Sequence, residues 1–191
     1  MKTIAKEVMI EFEERKSKFI GYAKPISTKK DAEDFIEMIK KRHSDATHNV
    51  PAYRVKEDNR EYFKFSDDGE PQNTAGKPVA EILNILDVYN VVIVVTRYFG
   101  GIKLGAGGLV RNYAKASKLA VEAAEVVELK NKKEILLDFG YGKIDEVERI
   151  LILNSCEILY KNYEERVTYR VSVTDEGESA LKEVNGILVI E

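Results

Sequence analysis

The chain has a single cysteine, Cys156, among 191 residues, so no internal disulfide can form. Long apolar runs are also missing, and nothing approaches the roughly 20 residues that cross a bilayer. The first residues, Met-Lys-Thr-Ile-Ala-Lys-Glu-Val, lack the apolar core and cleavage site of a signal peptide, so a cytoplasmic protein without membrane partners is expected. Excess charge is absent too. A net charge of −3 excludes a general polyanion binder and gives no reason to expect specific DNA binding. What remains is the balance of a folded protein, 44% hydrophobic and 33% charged, long enough for one large or two modest domains.

One stretch departs from that average. Between Gly100 and Gly108 five of nine residues are glycine, and from Arg97 to Val121 there are five basic residues and no acidic one. Glycine gives backbone N–H groups free approach to a ligand and permits positive φ, at a large loss of chain entropy on folding. Two readings compete. Either the run cradles an anion at a helix start, or it packs closely against its neighbours. Before it, Asn90-Val-Val-Ile-Val-Val-Thr96 is a β-branched run predicted as a central strand buried on both faces. After it, Leu109 to Val127 is predicted as a helix, apolar around most of its circumference. Its charged stripe is Arg111, Lys115 and Lys118, at i, i+4 and i+7.

Strand, glycine loop and helix is the order of phosphate cradles, but two common cofactor loops are excluded. A P-loop ends Gly-Lys-Ser/Thr, whereas here Lys103 lies inside the loop and Gly107-Gly108 is followed by Leu109. Gly105-Ala-Gly107-Gly108 also breaks the Gly-x-Gly-x-x-Gly spacing of dinucleotide folds. No cofactor is expected. A generic anion site survives, made of amides at Gly100, Gly101, Gly105, Gly107 and Gly108 flanked by Arg97, Lys103 and Arg111, with Lys115 and Lys118 extending it along the helix.

Elsewhere the pattern is regular. Ala5 to Phe12 and Ser17 to Ile26 read as a hairpin across Glu13-Glu14-Arg15-Lys16, and Lys29 to Arg42 reads as an amphipathic helix capped by Thr28 and Asp31. Strands are expected at 52–56 and 61–65 across a turn at Asp58-Asn59, and a helix after Thr74-Ala-Gly-Lys-Pro78. His43 and His48, five apart, fit no strong zinc motif, and no metal is expected. Asp67, Asp68 and Glu70 form an acidic turn that could serve a magnesium ion or a base, or simply cap the next helix. A pocket against the glycine loop is expected to draw on His48, Asn49, Arg54, Asp67, Asp68, Glu70, Thr74 and Thr96. Beyond a charged linker, Leu129 to Lys133, the chain reads β-α-β-β-α-β, with a helix capped by Asp175, the ferredoxin-like order. Two domains are therefore expected, 1–129 and 133–191.

Thr96 to Arg111, His48-Asn-Val-Pro-Ala-Tyr-Arg54 and Ser66-Asp-Asp-Gly-Glu-Pro71 with Thr74-Ala-Gly76 resemble the signature blocks of the IMPACT family, in its bacterial YigZ/YvyE branch. The resemblance covers nearly the whole chain. It implies an α+β protein of two α/β sandwich-like domains. The first would share the left-handed βαβ fold of a small-subunit ribosomal protein domain and elongation factor G domain IV, an exception to the usual crossover hand. The second would resemble elongation factor G domain V. Eukaryotic relatives regulate translation by competing for the activator of a starvation kinase, so a translation-control partner is implied. Three functions are weighed on this basis: a non-enzymatic module binding RNA or the ribosome, an enzyme on a phosphorylated small molecule, and a protein-binding adaptor presenting Tyr53, Tyr98 and Tyr113.

Overall fold

A computed structural model describes residues 1–57, 60–129 and 132–190 and divides the chain into two units, Met1–Leu129 and Lys130–Glu191. The turn expected at Asp58-Asn59 and residues 130 and 131 of the expected linker lie outside the described residues.

In chain order the first unit holds β1 (Lys2–Ile4), β2 (Val8–Glu14), β3 (Ser17–Pro25), α1 (Lys29–Arg42), β4 (His48–Glu57), β5 (Arg60–Phe65), α2 (Gly76–Ile85), β6 (Val91–Tyr98), α3 (Gly105–Ala123) and β7 (Val126–Glu128). Local chemistry accounts for several of these. Arg15 and Lys16 both have positive φ, 47° and 64°, as a two-residue hairpin turn with the twist of its strands requires. Thr28 and Asp31 close a full capping box at α1, and the backbone donors of Ser27 and Thr28 hold the Asp31 carboxyl below its usual range.

The main sheet runs β2-β3-β6-β4-β5 with every neighbouring pair antiparallel. Strands β3 and β4 are therefore parallel with β6 between them, bridged by α1, and β5 and β6 are parallel with β4 between them, bridged by α2. Helix α1 covers one face, over Ile20, Tyr22, Tyr53, Val92 and Val94, and α2 with α3 cover the other, over Phe19, Val50, Val91, Ile93 and Val95. Alternate residues of β6 thus meet two different cores, which is why its sequence is apolar without alternation. Helix α3 comes close enough to β3 that a Cβ on Gly21 would lie 2.8 Å from the Ala116 carbonyl oxygen.

Three boundaries differ from expectation by four residues. Helix α3 starts four residues before Leu109, inside the glycine run. It stops at Ala123 because Glu125 turns left-handed, φ 62°, the usual exit from a helix. Val126 and Val127, expected as helix, belong instead to β7, which pairs antiparallel with β1. Strand β4 begins at His48, four residues before the expected start.

The second unit holds β8 (Lys133–Phe139), a 3₁₀ turn (Tyr141–Lys143), α4 (Ile144–Leu153), β9 (Glu157–Tyr163), β10 (Val167–Val173), α5 (Asp175–Lys182) and β11 (Ile187–Ile190). Its sheet runs β11-β8-β10-β9, antiparallel throughout, the ferredoxin-like arrangement. Helix α5 is capped by Thr174, whose hydroxyl accepts from the Gly177 amide at 3.1 Å; Asp175, the expected cap, sits in the first turn. Five helices and three sheets among the described residues make the protein α+β.

Candidate functional site

Antiparallel pairing of β4 with β6 places His48 opposite Arg97 and Asn49 opposite Thr96, at the end of the sheet where β6 runs into the glycine stretch. The acidic turn folds over this end, and each carboxylate has its own task. Asp67 Oδ1 accepts from the amides of Ala75 and Gly76 at 3.1 and 2.8 Å, and Oδ2 from Asn73 at 2.8 Å, supplying the cap that α2 lacks from its own N-cap residue, Ala75. Asp68 accepts from the Asn49 amide at 2.7 Å, pairs with Lys40 at 2.5 Å and offers its carbonyl to His48 Nδ1 at 2.8 Å. Glu70 is buried, and its Oε1 accepts from Arg97 Nη1 at 2.6 Å and from the Tyr113 hydroxyl at 2.7 Å. Burial, then the Glu70 carboxylate, pushes the Tyr113 phenol well above its ordinary pKa and keeps it a donor.

Around this cluster the hydrogen bonds are local and structural. The Thr96 hydroxyl donates to Asn49 Oδ1 at 2.7 Å, and the Thr74 hydroxyl donates to the Pro71 carbonyl at 2.6 Å. Arg97 also reaches Ser17 Oγ at 3.5 Å, and its guanidinium lies 5.4 Å from the centre of the Phe99 ring.

The glycines divide between the two readings of the run. A Cβ on Gly100 would fall 1.8 Å from the Lys16 carbonyl oxygen, so that position serves packing. Gly101 and Gly105, at φ 85° and 72°, face open space. A Cβ on Gly108 would meet Leu104, and one on Gly107 would lie 3.4 Å from Arg111 Nη1, which places the Arg111 guanidinium over the first turn of α3. The N-cap residue of α3, Leu104, offers no capping side chain, and no acidic residue lies in the first turn. The N–H groups at this end are therefore uncapped donors at the positive end of a 19-residue helix.

That helix end borders two hollows. A cleft of about 410 Å³ is lined by His48, Glu70, Arg97, Phe99, Lys103 and the first turn of α3. A smaller, polar hollow of about 250 Å³ is lined by Glu14, Arg15, Arg111, Asn112 and Lys115. Among the described residues, Arg15, Lys103 and Arg111 join no ion pair. Lys115 and Lys118 are exposed, the first 4.3 Å from the centre of the Phe12 ring and the second 3.7 Å from Glu122.

Of the residues expected in one pocket, His48 and Glu70 reach the cleft with Arg97 and Lys103, while Asn49, Asp67, Asp68, Thr74 and Thr96 do not line it and serve the hydrogen bonds that hold the acidic turn and the strand ends. Arg54 does not belong there. It lies toward the far end of β4, opposite Val91, bonded to Glu61 at 2.7 Å and to the Tyr89 hydroxyl at 2.6 Å. Arg97 needs a second correction: with 5% of its surface exposed and its charge met by Glu70, it holds the fold together and is not a free cation for a phosphate. Tyr53 and Tyr113 are buried and present no surface to a partner. His43 and His48 point to different partners, His43 to the hydroxyls of Tyr22 and Tyr98. Sequence pattern missed the roles of Tyr113 and Ser17, whose partners lie 43 and 80 residues away, and the place of Arg15 in the hollow beside α3; no short-range signal marks them.

Comparison with known proteins follows the same blocks. Residues 15–121, more than half of the chain, match the Impact N-terminal domain. The chain is 38% identical to the IMPACT family member YvyE of Bacillus subtilis, over 93% of this chain and 79% of that one. It is 32% identical to the IMPACT family member YigZ of Escherichia coli, over 88% and 83%. A crystal structure described only as that of a hypothetical protein superposes with a TM-score of 0.65 at 29% identity, covering 99% of this chain and 95% of the other. The motif blocks, the domain match and the full-length relatives agree, and the chain belongs to the IMPACT family.

Proposed function

We propose that this protein acts in the control of translation as a non-enzymatic module that binds RNA, on its own or in the ribosome, at the amino end of α3. The observation that carries the reading is an uncapped helix start beside unpaired cations. First-turn N–H groups and the helix dipole favour an anion there. Lys103 and Arg111 add charge and join no ion pair among the described residues, and Gly101 and Gly105 keep the approach open. Lys115 and Lys118 continue the positive face along α3, as a phosphate backbone would need. The link to translation, the likeness to elongation factor G and a protein partner in translation control come from the family resemblance and belong to the same proposal.

Phosphate contacts make association fall with salt, with a slope of about −0.7 for each contact on single strands. Binding to single-stranded RNA and cosedimentation with ribosomes should therefore weaken steeply from low to physiological salt. Lys103→Ala with Arg111→Ala should flatten the slope on single-stranded RNA by about 1.4, two contacts at that value. Absence of binding at low salt, or an unchanged slope in the double variant, would contradict the proposal. Arg97 is left untouched because its loss would act through the fold.

A further inference from the structure

The cleft beside α3 contains two acceptors that the fold leaves without a donor. His48 Nδ1 lies 2.8 Å from the Asp68 carbonyl oxygen, which can only accept. Nδ1 therefore carries the proton, and in the neutral ring Nε2 is a bare acceptor. It faces Glu70 Oε2 at 3.7 Å, beyond hydrogen-bond reach. Oε1 of Glu70 already takes two donors, whereas Oε2 takes no hydrogen bond among the described residues. The Glu70 side chain is only 4% exposed, yet it lines the cleft. Neither atom is sealed from solvent, and both residues line the cleft, so two acceptors held side by side at its wall offer a place for donors from another molecule.

The rest of the cleft says what that molecule carries. One end is the uncapped first turn of α3 with Lys103, a site for an anion. The wall between is apolar, from Pro71, Phe99, Leu104 and Leu109. About 410 Å³ is in the range of small-molecule sites. We propose that the cleft binds a nucleoside monophosphate, either free or as an unpaired nucleotide of an RNA, with its phosphate at the α3 end and the N–H edge of its base donating to His48 Nε2 and Glu70 Oε2. Guanine, with two adjacent N–H donors on one edge, fits two neighbouring acceptors; uracil offers one. This inference rests on the anion reading of the α3 end given above.

The test titrates the full chain by calorimetry with guanosine monophosphate, uridine monophosphate and inorganic phosphate, and with short single-stranded RNAs that contain or lack guanine. Guanosine monophosphate should bind at least tenfold more tightly than the other two small ligands, and His48→Phe should abolish that preference while leaving the salt slope for guanine-free RNA unchanged. Glu70→Gln should do the same. Because it also unpairs Arg97, His48→Phe remains decisive if that variant does not fold. Binding of the free nucleotide assigns the cleft to a metabolite; a His48-dependent preference for guanine in RNA alone assigns it to an unpaired nucleotide. A guanine preference that survives His48→Phe, or no preference with either source while RNA still binds with its salt slope, overturns the cleft inference alone. Failure of every phosphate ligand and RNA overturns the anion site as well.

Discussion

At the scale of single residues, the end of the main sheet holds a charged group that the fold has buried and paired. Glu70, Arg97 and Tyr113 come from the acidic turn, β6 and α3 and meet at one carboxylate oxygen. Removing one member of a buried ion pair leaves the other charge uncompensated and destabilises by about 3–5 kcal/mol, while losing one hydrogen bond to a charged group costs about 1.5–3 kcal/mol. Arg97→Met should therefore lower stability to chemical denaturation more than Tyr113→Phe. Equal and small effects would show that the cluster does not join these elements. None of this was legible in the sequence. Arg97 reads there as one more cation beside the glycines, and only its pairing with a carboxylate 27 residues away reveals its role. Asp67 was more accessible to pattern, because an acidic residue in a turn just before a helix is a common cap.

At the scale of elements, His43 ends α1 and ties it to two strands. Tyr98 donates to Asp45 Oδ1 at 3.0 Å, so its oxygen accepts from His43 Nδ1 at 2.8 Å, and Nε2 then accepts from the Tyr22 hydroxyl at 2.7 Å. That one-way chain suits a neutral ring. Burial, and then Arg42, hold the pKa of His43 below its ordinary 6.5. The unfolded chain takes up the proton first as pH falls, so this contribution to stability is complete above pH 6.5 and is lost as pH drops from there through the lowered value of the folded state. Thermal melts between pH 7.5 and 5 should show a decline in the wild type that His43→Gln makes shallower; parallel declines would contradict the assignment. The element boundaries show where local signals suffice. The capping box at Thr28 and Asp31 lies within four residues, and α1 has its expected limits. The start of α3 was hidden because glycine is a poor helix former, so the first apolar residue, Leu109, looked like the beginning.

At the scale of the whole molecule, the sequence carries its second unit more openly than its first. The β-α-β-β-α-β order can be counted along the chain because each element of that unit has its own period and turn. In the first unit β1 and β7 are three residues each and pair from opposite ends of the unit, which no local window contains. The net charge of −3 likewise describes neither the paired surface nor the basic start of α3. The most direct measurement is made there, with Ala106→Asp at the exposed first turn of α3. A carboxylate at a helix start stabilises by about 0.3–1 kcal/mol, yet it would repel a phosphate from the same N–H groups. If the amino end of α3 is the anion site, this variant melts at or above the wild-type temperature while its affinity for single-stranded RNA at low salt and the slope of that affinity with salt both fall. An equally stable variant that binds RNA with unchanged affinity and slope would contradict it.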